Sequence, residues 1–257
     1  MSRQSPNLAP PDAVRARYRV RFGKTGLLRW ISHRDLATLF ERVARRADLP
    51  LSMTEGFHQK PRMSFPSALP LGVESHDEVV EIELSEHLPA EELRQRLIQD
   101  EQPGLTIHSV TAIEWRNAKA RMVGAQYRVT LPDEFEEAEA ERVTNNIEAV
   151  RREGHLSIDR KGKTVTAEVA TQIPTMQLRR DHLFIHMVLG DGASLKVTDL
   201  LQALKLGDWP DRGATIVRTR VQLDGDSSPS DPSPSNPLPH VGKPEETETK
   251  HSNNLPM

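Results

Sequence analysis

The sequence contains no cysteine among its 257 residues, and aromatic residues make up only 4% of it. The absence of thiols excludes disulfide bonds, thiolate nucleophiles, cysteine-based zinc sites and iron–sulfur clusters bound by this chain. No apolar run approaches the roughly 18 residues of a membrane-spanning helix, and the first residues lack the apolar core of a secretory signal. These absences predict a cytoplasmic protein that does not enter a membrane.

The short motifs of several enzyme classes are also missing. The sequence has no Walker loop, no G-x-G-x-x-G, no H-E-x-x-H and no G-x-S-x-G, so nucleotide, dinucleotide, zinc-protease and esterase chemistry have no support. His182 and His186 share one face of a predicted strand, but strand rise separates them by about 13 Å, too far for one metal ion. We therefore expect no metal site and no bound cofactor.

Positive charge is concentrated in one part of the chain. Between Arg15 and Arg62 there are twelve Lys and Arg residues against four acidic ones, although the whole chain has a formal charge of −3. The balance reverses between Glu74 and Glu101. This split is typical either of a surface for an anionic partner or of two solvated surfaces that differ in sign.

The hydrophobic pattern predicts an α+β fold with two similar halves. In residues 15–116, Ser32 begins an amphipathic helix, a second helix covers 89–97, and strands fall at 17–22, 49–53, 78–84 and 105–113. Strand, helix, strand, strand, helix, strand is the ferredoxin-like order. Residues 117–223 repeat this order with one extra strand. In chain order, the predicted elements are a strand at 127–131, a helix at 134–150, a hairpin of 155–158 with 164–170, a strand at 182–189, a helix from Ser194 to 204 and a strand at 214–223. We predict two ferredoxin-like βαββαβ halves with antiparallel sheets.

Both ends of the chain have a different composition. Residues 1–14 include three prolines and predict a loose leader. Residues 224–257 include seven prolines, many Ser and Asn residues and almost nothing apolar. Such a segment cannot bury enough surface to offset its ordering entropy, so we predict a disordered tail.

An irregular loop with several prolines follows the first helix and the predicted strand at 49–53. The segment 56–66 is denser in polar and aromatic residues than a linker requires, and its prolines stiffen it. We predict that it converges with cations of the first strand on a phosphate-containing substrate, with an aromatic ring stacking on a base. The predicted substrate-binding residues are Arg17, Arg19, Lys24, Phe57, His58, Gln59, Lys60 and Arg62.

His33 and His58 are the candidate catalytic residues. His33 occupies the first position of a helix, where the positive helix end disfavours the imidazolium. His58 is a candidate general acid or base, with Lys60 or Arg62 stabilising an anion. An exposed loop histidine such as His58 is, however, more often without a catalytic role. Paired ferredoxin-like halves are similar to CRISPR repeat-processing endoribonucleases, but fold alone does not establish function.

Several segments together carry a resemblance to a known family. They read SHRDL at 32–36, FER at 40–42, RR at 45–46, LPL at 49–51, EGFH at 55–58, PRMSF at 61–65 and LPLGVES at 69–75. The chain resembles the radical-SAM-associated (radical-SAM-linked) proteins of bacteria, a domain family of unassigned function found alone or fused behind a radical-SAM enzyme domain. The resemblance is strong over about residues 17–84 and extends to about 223. It implies a radical-SAM enzyme as partner, and a chain without cysteine cannot itself carry that enzyme's cluster.

These observations lead to one main functional hypothesis. It is a non-catalytic accessory module that binds RNA or another anionic substrate for a radical-SAM enzyme. The alternatives are a protein-binding adaptor that uses the acidic stretch 74–101 or the tail, a metal-independent endoribonuclease, and a small-molecule binder. The sequence names neither the substrate nor the oligomeric state.

Overall fold

Residues 15–160, 162–190 and 195–226 are described by a computed structural model of the chain. The predicted leader at 1–14 and residues 227–257 of the predicted tail lie outside these residues. The described residues up to Gly225 belong to one compact unit. None of the helices in the described part has the length and apolar character needed to cross a bilayer.

The structure is mixed α+β with few helices and a mostly antiparallel sheet, which confirms the coarse fold class. The strands are β1 Ala16–Lys24, β2 Met63–Ser64, β3 Glu74–Leu84, β4 Leu105–Ile113, β5 Met122–Thr130, β6 His155–Arg160, β7 Lys163–Glu168, β8 Thr175–Leu178, β9 His182–Val188 and β10 Ile216–Leu223. The helices are α1 His33–Arg46, α2 Ala90–Ile98, α3 Glu137–Glu153, α4 Val169–Gln172 and α5 Val197–Ala203, with 3₁₀ turns at Gly26–Trp30 and Trp209–Arg212.

One large sheet contains strands from both predicted halves. Its order is β4-β1-β3-β10-β5-β9-β8, with β2 paired to β3, while β6 and β7 form a separate hairpin. Neighbours in the large sheet are antiparallel except β3 and β10, which are parallel. This joint is short, with Val217 opposite Glu74 and Arg218 opposite Ser75. The two predicted halves therefore meet at the β3–β10 joint.

Alternation in β1 sends its apolar side chains to one face. Tyr18, Val20 and Phe22 are buried and pack with Phe40 and Val43 of α1. Helix α1 begins as predicted, because Ser32 Oγ accepts a hydrogen bond from the Asp35 backbone N–H at 3.2 Å. The Asp35 carboxylate in turn accepts from the Ser32 N–H at 3.4 Å, which completes the capping box.

A second core belongs to the C-terminal strands, but two residues of the first half also contribute to it. Leu69 and Val73, from the segment that precedes β3, are buried with Tyr127 of β5 and Ile185 of β9. The large sheet and this shared core make the predicted halves parts of one folded unit.

Some predicted elements differ from the structure. The predicted strand at 49–53 is wrong: Leu51 and Met53 form only isolated bridges, and the second strand of this half is β2 at 63–64. Pro50 and Pro61 lack the N–H that a continuous ladder needs, which keeps these pairings short. Helix α5 begins at Val197, with its first turn held by a hydrogen bond from Lys196 N–H to Asp199 at 2.9 Å. The predicted cap Ser194 lies outside the described residues.

A buried carboxylate ties α3 to the turn before β10. Glu139 accepts hydrogen bonds from the indole of the fully buried Trp209 at 3.1 Å and from both terminal nitrogens of Arg212 at 2.7 and 2.8 Å. The hydrogen bonds from Arg212 hold the pKa of Glu139 below its usual value. A two-pronged contact of this kind is stronger than a neutral hydrogen bond.

We predict that Glu139→Gln lowers the free energy of unfolding by about 2 kcal/mol at neutral pH, because charge-assisted hydrogen bonds are lost in a buried setting. Since the folded-state pKa is lowered, this contribution is complete above the unfolded carboxyl pKa of about 4.3 and disappears as the pH falls through the folded value. Urea unfolding across this pH range measures both effects. Glu141→Gln, an exposed change on the same helix, is the control, and equal effects of the two substitutions would contradict the prediction.

Candidate functional site

Two arginines of β1 form ion pairs with acidic residues of β3. Glu81 lies opposite Arg19, and the two side chains pair at 3.0 Å. Arg21 pairs with Asp77 at 2.8 Å. The charges of Arg19 and Arg21 on the predicted basic face are therefore neutralised by β3.

Two other predicted substrate-binding cations are buried. Arg17 donates a hydrogen bond to the carbonyl oxygen of Glu114 at 3.2 Å and another to that of Asn117, in the segment between β4 and β5. Lys24 donates to the carbonyl oxygen of Ile31 at 3.2 Å. Burial, assisted by the charge of Arg218, lowers the pKa of Lys24. These side chains hold the first half together, and the structure does not bring them to the irregular loop.

The irregular loop has an exposed tip on an ordered base. The tip loop, defined here as residues 55–60, is closed by hydrogen bonds from Thr54 N–H to the Lys60 carbonyl at 2.8 Å and from Lys60 N–H to Thr54 Oγ1 at 3.0 Å. Phe57 at the tip is completely exposed, and His58, Gln59 and Lys60 are exposed beside it. Four of the predicted substrate-binding residues, which are consecutive in the sequence, are thus exposed on one turn.

The conformation of the tip loop depends on a glycine within it and on an arginine that follows it. Gly56 has a φ of +111°, a conformation that residues with a Cβ rarely adopt. The half-buried Arg62 donates from Nε to the Met53 carbonyl at 3.0 Å, and its backbone N–H donates to Ser52 at 2.8 Å. Arg62 therefore supports the tip loop from below.

The two candidate catalytic histidines are held by different parts of the chain. The ring of His33, exposed at the start of α1, meets the edge of Phe65 with 5.3 Å between ring centroids. His58 is exposed in the tip loop and makes no hydrogen bond or ion pair within the part of the chain that the structure describes. The structure records no contact between His33 and His58, so it assembles no acid/base pair from them.

A buried ion pair at the β3–β10 joint was not predicted from the sequence. Arg218 donates to Glu78 at 2.9 Å, to Tyr127 Oη at 3.1 Å and to Ser67 Oγ at 2.9 Å. Arg218 is 2% exposed, Glu78 is 4% exposed and the nearby Lys24 is 1% exposed. Burial raises the pKa of the Glu78 carboxyl, and the charge of Arg218 opposes this shift.

This ion pair borders a cavity of about 610 Å³. Arg218, Tyr127 and Ser67 contribute polar groups to the wall, and Lys196 and Arg121 bring two further cations. Much of the remaining wall is apolar and includes Pro66, Leu69, Met122, Ala125, Met187 and Leu195. A mostly apolar cavity with a few convergent polar groups is typical of small-molecule binding sites.

One sequence signal points to this cavity. In the alternating pattern of β10, Arg218 occupies the same face as Ile216, which is part of the core. A charged residue at an inward-facing strand position requires a buried partner. The identity of that partner, Glu78, depends on the parallel joint between β3 and β10.

Together, these features define a mixed α+β protein with a buried ion pair beside a cavity and a separate exposed loop. The chain belongs to a family described as uncharacterized proteins conserved in bacteria (DUF2344), whose model matches residues 17–198. That description names no enzyme, so the association with radical-SAM enzymes stays a prediction.

The chain is also similar to a chain in the crystal structure of a Cbf5–Nop10–Gar1 complex, with 13% sequence identity and a TM-score of 0.40. The similarity covers 79% of this chain and 48% of that one, so this chain spans about half the length of its structural neighbour. No curated protein matches the sequence significantly.

We predict that Arg218→Ala lowers the free energy of unfolding by about 3 kcal/mol, because it leaves the Glu78 carboxyl buried without its partner. Arg220→Ala, two residues along β10, removes an exposed arginine and is the matched control, with an expected change within about 0.5 kcal/mol. Urea unfolding monitored by tryptophan fluorescence measures both. Similar small losses for the two variants would show that the joint does not depend on this ion pair.

Proposed function

We propose that this protein is a non-catalytic accessory module that binds RNA or another anionic substrate for a radical-SAM enzyme. The observation that carries the proposal is the tip loop, where an exposed phenylalanine, a histidine and a lysine project from an ordered base. The cations of β1 have no part in it, because they are paired or buried inside the first half.

We further propose that the scaffold consists of two ferredoxin-like units. Support comes from the order of pairing, which is β4-β1-β3-β2 in the first half and β10-β5-β9-β8 in the second. Each order is the one that a βαββαβ unit produces, with the β6–β7 hairpin as an insertion in the second. Tip-loop residues 55–60 lie in the connection between α1 and β2 of the first unit.

The chemistry of the tip loop suits a single-stranded nucleic acid. An aromatic ring that is free on both faces can stack on any base, and a neighbouring ammonium group attracts the phosphate backbone. The hydrogen bonds between Thr54 and Lys60 keep Phe57 and Lys60 on one short turn, which reduces the entropy lost on binding.

We expect the full chain to bind a labelled oligouridine of about 12 nucleotides, with an affinity that falls as salt rises. Phe57→Ala should weaken binding about tenfold through loss of stacking. Lys60→Gln should weaken it less and reduce the salt slope by about one. Fluorescence anisotropy over a salt series measures both effects.

The control for charge is Arg42→Gln, which removes an exposed cation on α1, and the control for apolar surface is Leu71→Ala. Equal effects of the tip-loop and control substitutions would exclude the tip loop as the RNA site. The same RNA should remain intact in EDTA. Cleavage that depends on His58 would instead support the ribonuclease hypothesis.

A second exposed surface favours a protein contact. Leu27 and Trp30 of the first 3₁₀ turn and Leu71 before β3 are each more than half exposed. Trp30 packs over Gly72, where an added Cβ would lie 3.0 Å from its ring, and Arg29 lies 5.2 Å from the Trp30 ring centroid. Because large exposed apolar side chains mark interaction sites, we propose this patch as the contact for the radical-SAM partner.

We expect Trp30→Ser to abolish co-purification of the partner enzyme from the native host, since a central tryptophan contributes much of the affinity of an interface. Trp115→Ser, which removes another exposed tryptophan, is the control and should leave the complex intact. Affinity capture of the full chain followed by mass spectrometry is the measurement. Loss of the partner with both variants, or with neither, would rule out the patch.

A further inference from the structure

The cavity beside the β3–β10 joint contains a hydrogen-bond donor that the fold leaves unused. Arg218 places Nε on Tyr127 Oη, and one terminal nitrogen, Nη1, on Glu78 and Ser67. Its other terminal nitrogen, Nη2, has no hydrogen-bond partner among the described residues. Arg218 is 2% exposed and lines the cavity, and Nη2 is not one of the enclosed polar atoms that lack a partner, so this nitrogen opens onto the cavity. The geometry therefore leaves room for an acceptor supplied by a ligand.

The charge around this donor is unbalanced. Arg218 is buried and pairs with Glu78 at 2.9 Å. Arg218 and Lys196 both line the cavity, and the described residues of that lining include no carboxylate. Since isolated buried charge is costly, an incoming anion would be stabilised at this position.

The rest of the wall restricts what kind of anion fits. Apolar side chains line the cavity, including Leu69, Met122, Ala125, Met187 and Leu195, and its volume of about 610 Å³ lies within the range of small-molecule sites. A small inorganic ion would leave this apolar wall in contact with water. A ligand with both an apolar body and one anionic group satisfies the whole surface.

We propose that this cavity binds a small organic acid, with the carboxylate on Arg218 Nη2 and the apolar body against the Met and Leu side chains. Tyr127 and Ser67 hold the guanidinium in the orientation that presents this donor. The site is independent of the tip loop and of the Trp30 patch, because it shares no residue with either. If the cavity does not bind an organic acid, the proposed RNA function is unaffected. If the chain does not bind RNA, the proposal for the cavity is unaffected.

The probes are octanoate and hydrocinnamate, each compared with its neutral amide and with inorganic phosphate. We expect each carboxylate to raise the melting temperature of the full chain and to bind about tenfold or more tightly than its amide in titration calorimetry. Inorganic phosphate should bind more weakly than either acid, since it gains nothing from the apolar wall. Equal affinity of acid and amide, or tighter binding of phosphate, would overturn the proposal.

Two variants locate the site without removing Arg218. Ala125→Leu fills the floor of the cavity and should abolish binding of both acids. Lys196→Gln should weaken binding about threefold by removing a positive charge near the carboxylate. The control Lys205→Gln removes an exposed lysine beyond α5 and should leave the affinity unchanged. If Ala125→Leu and Lys196→Gln bind the acids as the unaltered chain does, the ligand lies elsewhere and the proposal is wrong.

Discussion

The ion pair between Arg218 and Glu78 lies where the two halves of the sheet join, and the joint itself is small. Only Val217 and Arg218 of β10 pair in register with β3, so backbone hydrogen bonds alone hold few residues together. Arg218 adds contacts to β3 through Glu78, to β5 through Tyr127 and to the preceding loop through Ser67. Removing such charges from water is costly unless their partners are placed accurately. The contacts of Arg218 therefore fix how β10 sits against β3, and the cavity that Arg218 lines depends on the same contacts.

Folding brings the basic and acidic segments of the sequence against one another. Antiparallel pairing of β1 with β3 sets Arg19 opposite Glu81, and further ion pairs join Arg21 to Asp77, Arg29 to Glu74 and Arg46 to Asp100. The most exposed of these pairs, Arg46 with Asp100, contributes little to stability. These pairs hold four arginines of the first half against acidic residues, while Lys60 stays exposed at the tip of the irregular loop.

The structure separates exposed side chains from supporting ones among the predicted site residues. Phe57, His58, Gln59 and Lys60 are exposed together, and Arg62 holds the base of their loop. Arg17 and Lys24 instead satisfy backbone carbonyl groups inside the first half. Residue type could not distinguish these roles, because an arginine that binds phosphate and one that binds a carbonyl oxygen have the same local sequence pattern. The distinction depends on the acceptors that distant residues such as Glu114 provide.

Local patterns in the sequence predicted many of the helices and strands, but they missed β8 and gave a strand at 49–53 that the fold does not form. Period-two alternation located β1 and β3, and Ser32 with Asp35 located the start of α1, because such signals act over a few residues. Tertiary structure alone decided that β3 and β10 are neighbours, that Leu69 and Val73 enter the second core, and that Glu78 is the partner of Arg218. These partners are far apart in the chain: 58 residues separate Leu69 from Tyr127, and 140 separate Glu78 from Arg218. Their contact follows from strand order, which local hydrophobic pattern does not encode.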